Sequence, residues 1–100
     1  MSYIQLQPQD LSDLNLRDEL TIFDSRDANS FTQAHIPGAR MIEDREIQKL
    51  ILQKKRNTPV VVYCYHGNSS KDICNLLCGM GFSEVYNLEG GWQAWQRLSA

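Results

Sequence analysis

No apolar run in this chain approaches the roughly 20 residues that a membrane-spanning helix needs. The N-terminal segment Met1–Pro8 has neither a basic stretch nor an apolar block, so no secretory signal is expected. Cysteine is scarce and odd in number, at Cys64, Cys74 and Cys78, with no Cys-x-x-Cys pair. Histidine is scarcer still, at His35 and His66, so no metal-ligand set is read and no metal is expected. Together these absences predict reduced thiols in the cytoplasm rather than a disulfide framework. An excess of charge of one sign is missing too. Ten basic against twelve acidic side chains leave −2, which argues against a general nucleic-acid binder while leaving room for a local cationic pocket. Repeats, low-complexity tracts and Pro/Gly/Ser linkers are absent. With 42% hydrophobic and 22% charged residues, the composition is that of one globular domain covering residues 1–100, with no membrane partner.

Two segments read as buried strands. Thr21-Ile-Phe-Asp24 follows a polar helical stretch, and Val60-Val-Val-Tyr-Cys64 is a β-branched run begun by Pro59. Weaker strands are expected at Tyr3–Leu6, Ala39–Ile42 and Glu84–Leu88. Between them lie amphipathic segments. Ile47, Leu50 and Ile51 recur at i, i+3, i+4 in a Lys/Arg/Gln-rich helix expected to end near Asn57. Ile73, Leu76, Leu77 and Met80 do the same from about Ser70, with Gly81 suited to the left-handed position beyond the helix end. Apolar strands alternating with helices predict an α/β fold, a mostly parallel sheet covered on both faces. In such sheets ligands lie beyond the carboxyl ends of the strands. Two loops qualify: Asp24-Ser-Arg26-Asp27, and the stretch from Cys64 to Ser70.

The second loop carries the chemistry. Cys64 ends a strand, Tyr65, His66, Gly67, Asn68, Ser69 and Ser70 follow, and a helix begins at Lys71-Asp72-Ile73. Gly67 and Asn68 tolerate backbone angles closed to most residues, and Ser69 or Ser70 can cap the helix. A short curved loop of this kind turns successive N–H groups inward, with the helix dipole behind them. A thiol at its edge ionises more readily than a free one, and the same donors can hold an anion such as a sulfonate, sulfate or phosphate oxygen. A cysteine at a strand end reads by default as a small inert hydrophobe. The order strand, cysteine, glycine-containing loop, helix favours the nucleophile instead. Cys74 and Cys78, one turn apart beside Ile73 and Leu77, read as packing residues.

Other residues of the chain resemble a known pattern in the same order. Cys64-Tyr-His-Gly-Asn-Ser-Ser-Lys71 resembles the active loop of rhodanese-type sulfurtransferases, whose usual form is Cys-x-x-Gly-x-Arg or a close variant. Asp24-Ser-Arg26 followed by Phe31-Thr-Gln-Ala-His-Ile-Pro-Gly-Ala39 resembles the family's Asp-x-Arg … His-Ile-Pro-Gly-Ala segment. Gly90-Gly-Trp-Gln-Ala-Trp95 resembles its Gly-Gly-Trp-x-Ala-Trp signature. The likeness spans nearly the whole chain and is greatest to the single-domain bacterial thiosulfate sulfurtransferases. It implies a rhodanese-like domain with a five-stranded parallel sheet flanked by helices. It also implies a two-step reaction in which Cys64 takes the outer sulfur of thiosulfate as a persulfide and passes it to cyanide or a thiol, with no cofactor. The Tyr65–Ser70 backbone would bind substrate. Ser69 stands where the usual loop arginine would, so this loop is expected to hold anions less strongly by charge.

Several neighbours admit two readings. His66 contacts substrate or shuttles a proton, or else is a solvent-facing loop residue. Lys71 supplies the charge missing at Ser69, or is an exposed first-turn lysine. Its small cost against the helix dipole tilts the reading toward an electrostatic role. Asp24 and Arg26 read first as an ion pair fixing the rim of a pocket, and Arg26 second as a substrate contact. His35 reads as hydrogen-bonded to backbone in a turn, and Trp92 and Trp95 as core or pocket wall. Phosphatases of the Cys-x5-Arg class need an arginine at the seventh loop position, and Ser70 stands there. A persulfide carrier for a protein acceptor, or a non-catalytic interaction module on the same fold, are the remaining alternatives.

Overall fold

The computed structural model describes residues 2–16 and 19–99. The expected strand of β-branched residues is its centre. Val60–Tyr63 (β4) has all four residues buried, because both faces of the sheet are covered there. It lies between Thr21–Asp24 (β2), also buried throughout, and Val85–Leu88 (β5). Ile4–Leu6 (β1) borders β5 and Arg40–Met41 (β3) borders β2, giving the order β1-β5-β4-β2-β3 with every pairing parallel. The three weaker strands thus form, each trimmed by a residue or two from its expected span. The helices are Leu11–Leu14 (α1), Ala28–Gln33 (α2), Asp44–Leu52 (α3), Ser70–Gly79 (α4) and Gly91–Ser99 (α5). None of the described helices is long and apolar enough to cross a membrane.

Side chains alternate across the pleat and so divide the core in two. Val60 and Val62 join Phe23, Ile47, Leu50, Cys74, Leu77, Cys78 and Phe82 beneath α3 and α4. Val61 and Tyr63 join Ile22, Ile36, Leu11, Leu14 and Leu88, with Trp92 and Trp95 packed against them. Cys74 and Cys78 are therefore packing residues, and the two tryptophans are core and wall, as expected.

The end of α3 departs from expectation: it stops at Leu52 rather than near Asn57. After Leu50 and Ile51 the next inward positions fall on Lys54 and Lys55, which offer nothing apolar to bury. The chain turns there, with Lys54 at φ 60°, its N–H on the Ile51 carbonyl and the Lys55 N–H on the Leu50 carbonyl. The same pair of bonds closes α4, from Gly81 to Cys78 and from Phe82 to Leu77, with Gly81 at φ 96° as its sequence position predicts.

Candidate active site

Because all five strands are parallel, their carboxyl ends open on one edge, and both singled-out loops meet there. Cys64 follows the last residue of β4 and is only 3% exposed. Its sulfur is ringed by hydrogen-bonding groups. The Gly67 N–H donates to Cys64 Sγ at 3.1 Å and the Ser70 N–H at 3.4 Å. Ser70 Oγ lies 3.2 Å from the sulfur, and the Ser69 hydroxyl also reaches it. Burial alone pushes the thiol up, but the two serine hydroxyls and the two N–H groups outweigh it and bring it down to about 7. Cys74 has no such donors. Burial, reinforced by the neighbouring Cys78 and Cys64, pushes its thiol up to about 12. The contrast separates a readily ionised thiol from one held protonated.

Of the loop residues singled out from sequence, Gly67, Ser69 and Ser70 converge on the sulfur. The N–H bonds to Sγ come from Gly67 and Ser70 alone among the described residues, rather than from the whole run. Tyr65 turns its hydroxyl away to Asp27 and Ser30 at the start of α2. Its ring then forms one side of a cavity of about 220 Å³ that Cys64, His66, Asn68 and Ser69 complete. His66 is exposed, and its Nδ1 lies 2.9 Å from Gln93 Oε1 on α5. The Asn68 carbonyl accepts the Lys71 N–H, so the latter closes the turn instead of facing the sulfur. Ser69 occupies the helix-capping position, but its hydroxyl makes no capping bond.

The rim is held as the Asp24/Arg26 reading predicts. Arg26 Nε and Nη2 grip both Asp24 oxygens at 2.7–3.1 Å, and Nη2 also donates to the Ala34 carbonyl at 2.7 Å. Tyr63 donates its hydroxyl to Asp24 at 2.7 Å and accepts the Ile36 N–H. The guanidinium stacks 4.4 Å from the centre of the Trp92 ring. His35 bonds the Phe31 carbonyl through Nδ1 at 2.8 Å, the backbone contact expected of it.

Two features of the site were not assigned from sequence. The first is the clamp supplied by α5. The Trp92 N–H donates to the Cys64 carbonyl at 2.8 Å and the Gln93 N–H to the Tyr65 carbonyl at 3.0 Å. The loop approaches this helix end so closely that a Cβ on Gly91 would lie 2.4 Å from the Cys64 oxygen, and one on Gly67 would lie 2.9 Å from the Gly90 nitrogen. The Gly90-Gly91 pair signals such an approach only once the fold brings residue 91 beside residue 64. The second is Asn87, a fully buried amide in β5 that bonds both Gly67 and Ser70. An amide inside an apolar strand is the signal that could have found it.

Comparison with known proteins places this geometry. Residues 7–98 match the model of the rhodanese-like domain. A Shewanella oneidensis protein named thiosulfate sulfurtransferase GlpE is 37% identical over 99 residues, spanning 99% of this chain and 98% of its own. The Pseudomonas putida protein of the same name is 35% identical over 92 residues, covering 92% of this chain and 84% of its own. The rhodanese-like domain of an Anabaena protein, solved by NMR, superposes with a TM-score of 0.78 at 26% identity, over 96% of this chain and 75% of that one. With its five-stranded parallel sheet and a cysteine loop at the carboxyl edge, the chain belongs to the rhodanese-like domain family.

Proposed function

We propose that the protein is a thiosulfate sulfurtransferase that carries sulfur on Cys64. One observation supports this above the others: a thiol brought to about 7 inside a ring of inward donors, with a cavity in front of it. In the first step the Cys64 thiolate attacks the outer sulfur of thiosulfate. A sulfur–sulfur bond forms, the bond to the sulfonate sulfur breaks with its electron pair, and sulfite departs. The product is a persulfide whose terminal sulfur keeps the negative charge it carried in thiosulfate, while sulfite leaves with the charge displaced by the thiolate's electron pair. In the second step an acceptor attacks that terminal sulfur: cyanide leaves as thiocyanate, a thiolate as a new persulfide, and Cys64 is restored as thiolate. Both steps displace one nucleophile from sulfur by another, so neither a metal nor an organic cofactor is required.

The loop residues divide the work. The Gly67 and Ser70 N–H groups and the Ser69 and Ser70 hydroxyls stabilise charge on the Cys64 sulfur, and the N–H groups, already aimed at it, do so without reorganisation. Tyr65, His66 and Asn68 shape the space where thiosulfate or the acceptor sits. Lys71, half-buried on the first turn of α4, supplies positive charge beside a loop that has Ser69 where the family's usual loop pattern has arginine. Three unpaired thiols suit a reducing compartment, the cytoplasm. The acceptor is a small thiol or a protein thiol.

Intact-protein mass spectrometry after incubation with thiosulfate tests the proposal, with Cys64→Ser as the control. A gain of one sulfur atom, removed by cyanide and absent from the variant, is the expected result. No gain in the unaltered chain would overturn it.

A further inference from the structure

Burying an amide costs several kcal/mol unless its hydrogen bonds are remade inside, and Asn87 is 0% exposed in the middle of β5. It neither lines the cavity nor touches the sulfur. Its bonds nonetheless run to the loop. Nδ2 donates to the Gly67 carbonyl at 3.0 Å and to Gln5 Oε1 on β1 at 2.7 Å, while Oδ1 accepts the Ser70 hydroxyl. A backbone carbonyl only accepts, so the Gly67 contact fixes which end of the amide is which.

Those two loop partners are the same two residues whose N–H groups point at Cys64 Sγ. Gly67 adopts φ 86°, and its flanking peptide planes are both held: one by the sulfur through its N–H, the other by Asn87 through its carbonyl. We propose that Asn87 is a positioning residue of the sulfur site, holding the loop in the turn that aims the Gly67 and Ser70 N–H groups at Cys64. It acts from a rigid central strand, where a fixed donor loses little freedom by binding.

Asn87 also shares a proton with the sulfur. In the thiol state Cys64 donates to Ser70 Oγ and Ser70 donates to Asn87 Oδ1. On ionisation the sulfur becomes an acceptor, and the Ser70 hydroxyl turns its proton from Asn87 to the thiolate. This second effect opposes the first in the thiol's titration. A test of the positioning role must therefore remove the Ser70 proton beforehand.

The decisive comparison is Ser70→Ala against Ser70→Ala/Asn87→Leu. The double variant removes the Ser70–Asn87 bond from both sides, so the difference between the two variants is the loss of the Asn87 donor to the Gly67 carbonyl and to Gln5. The readout is the pH dependence of Cys64 alkylation by iodoacetamide, followed on the Cys64 peptide by mass spectrometry, with circular dichroism to verify the fold. The proposal rests on Cys64 being the reacting thiol. Alkylation reads that thiol whether or not sulfur is transferred, so failure of the sulfurtransferase reading and failure of this one are distinguishable. The expected result is a titration midpoint about one unit higher in the double variant, seen as roughly tenfold slower alkylation at pH 6. Coincident profiles in two folded variants would overturn the proposal. If the double variant does not fold, the unaltered chain answers by NMR. The Asn87 side-chain amide resonances are expected to shift with the Cys64 midpoint, and a flat trace would overturn the proposal equally.

Discussion

Replacing Gly91 by alanine is expected to damage stability and chemistry together, because the added carbon falls on the active loop's own backbone. Built at its ideal position, it lies 2.4 Å from the Cys64 carbonyl oxygen and 2.8 Å from both the Gly67 nitrogen and the Tyr65 carbonyl carbon. Reaching ordinary van der Waals separation requires the loop and α5 to part by about 1 Å. At that distance the bonds from the Trp92 and Gln93 N–H groups to Cys64 and Tyr65 are lost, at roughly 0.5–1.5 kcal/mol each. The left-handed backbone at φ 57° adds about 1–2 kcal/mol for a residue with a side chain. The total is about 2–5 kcal/mol, which a domain of ordinary stability, roughly 5–15 kcal/mol, survives. Urea unfolding measures the stability loss. The rate of persulfide formation from thiosulfate measures the chemical one, expected to fall on the order of a hundredfold for a 1 Å displacement. Gly38→Ala is the control: its φ is 86°, yet an added carbon meets nothing within 4 Å, so only the backbone term applies and the rate should hold. A Gly91→Ala protein that unfolds like the parent and loads sulfur at the parental rate would refute the clamp.

The remaining predictions concern the sulfur and its surroundings. With the Cys64 thiol near 7, its alkylation rate should fall tenfold per pH unit below about 6 and level off above about 8; a midpoint near the free-thiol value of about 8.5 would contradict the donor ring. Cys74→Ala should retain most sulfur transfer while costing about 1 kcal/mol of packing, since Cys74 is fully buried and its thiol is pushed up to about 12; loss of transfer with a native circular dichroism spectrum would overturn the division between the cysteines. Ser69→Arg should lower the thiosulfate concentration needed for half-maximal rate, by placing a cation beside the cavity that Ser69 lines. An unchanged saturation curve would count against charge as what this loop lacks.

Local signals carried the framework. The Val60–Tyr63 run, the apolar faces around Leu50 and Leu77, and Gly81 beyond α4 each follow from neighbours within a few positions, so periodicity and turn chemistry suffice. The end of α3 was misjudged because Lys54 adopts a left-handed conformation that its residue type does not announce. In the site, the strand–cysteine–loop–helix order located the thiol and its serine and glycine neighbours. Which N–H groups reach the sulfur was not legible, because that depends on how the loop is held from outside. Its anchors, Asn87 and the start of α5, are 20 and more residues away in sequence and come near only through the order β5-β4 and the return of α5 to the β4 loop. Ser69 takes the capping position that its residue type announces, and only the capping bond itself is missing.

The clamp between α5 and the Cys64 loop also orders events in time. In a chain that has not yet folded, Cys64 is an ordinary thiol near 8.5, mostly protonated at neutral pH and slow to react. Its donors stand in place in a fold where the N–H groups of residues 92 and 93 hold the carbonyls of residues 64 and 65. Residues 91–93 follow the cysteine by 27 positions and more, so synthesis delivers the sulfur before the segment that holds its loop. The low pKa of this thiol is thus a property of the fold rather than of the loop that bears the sulfur.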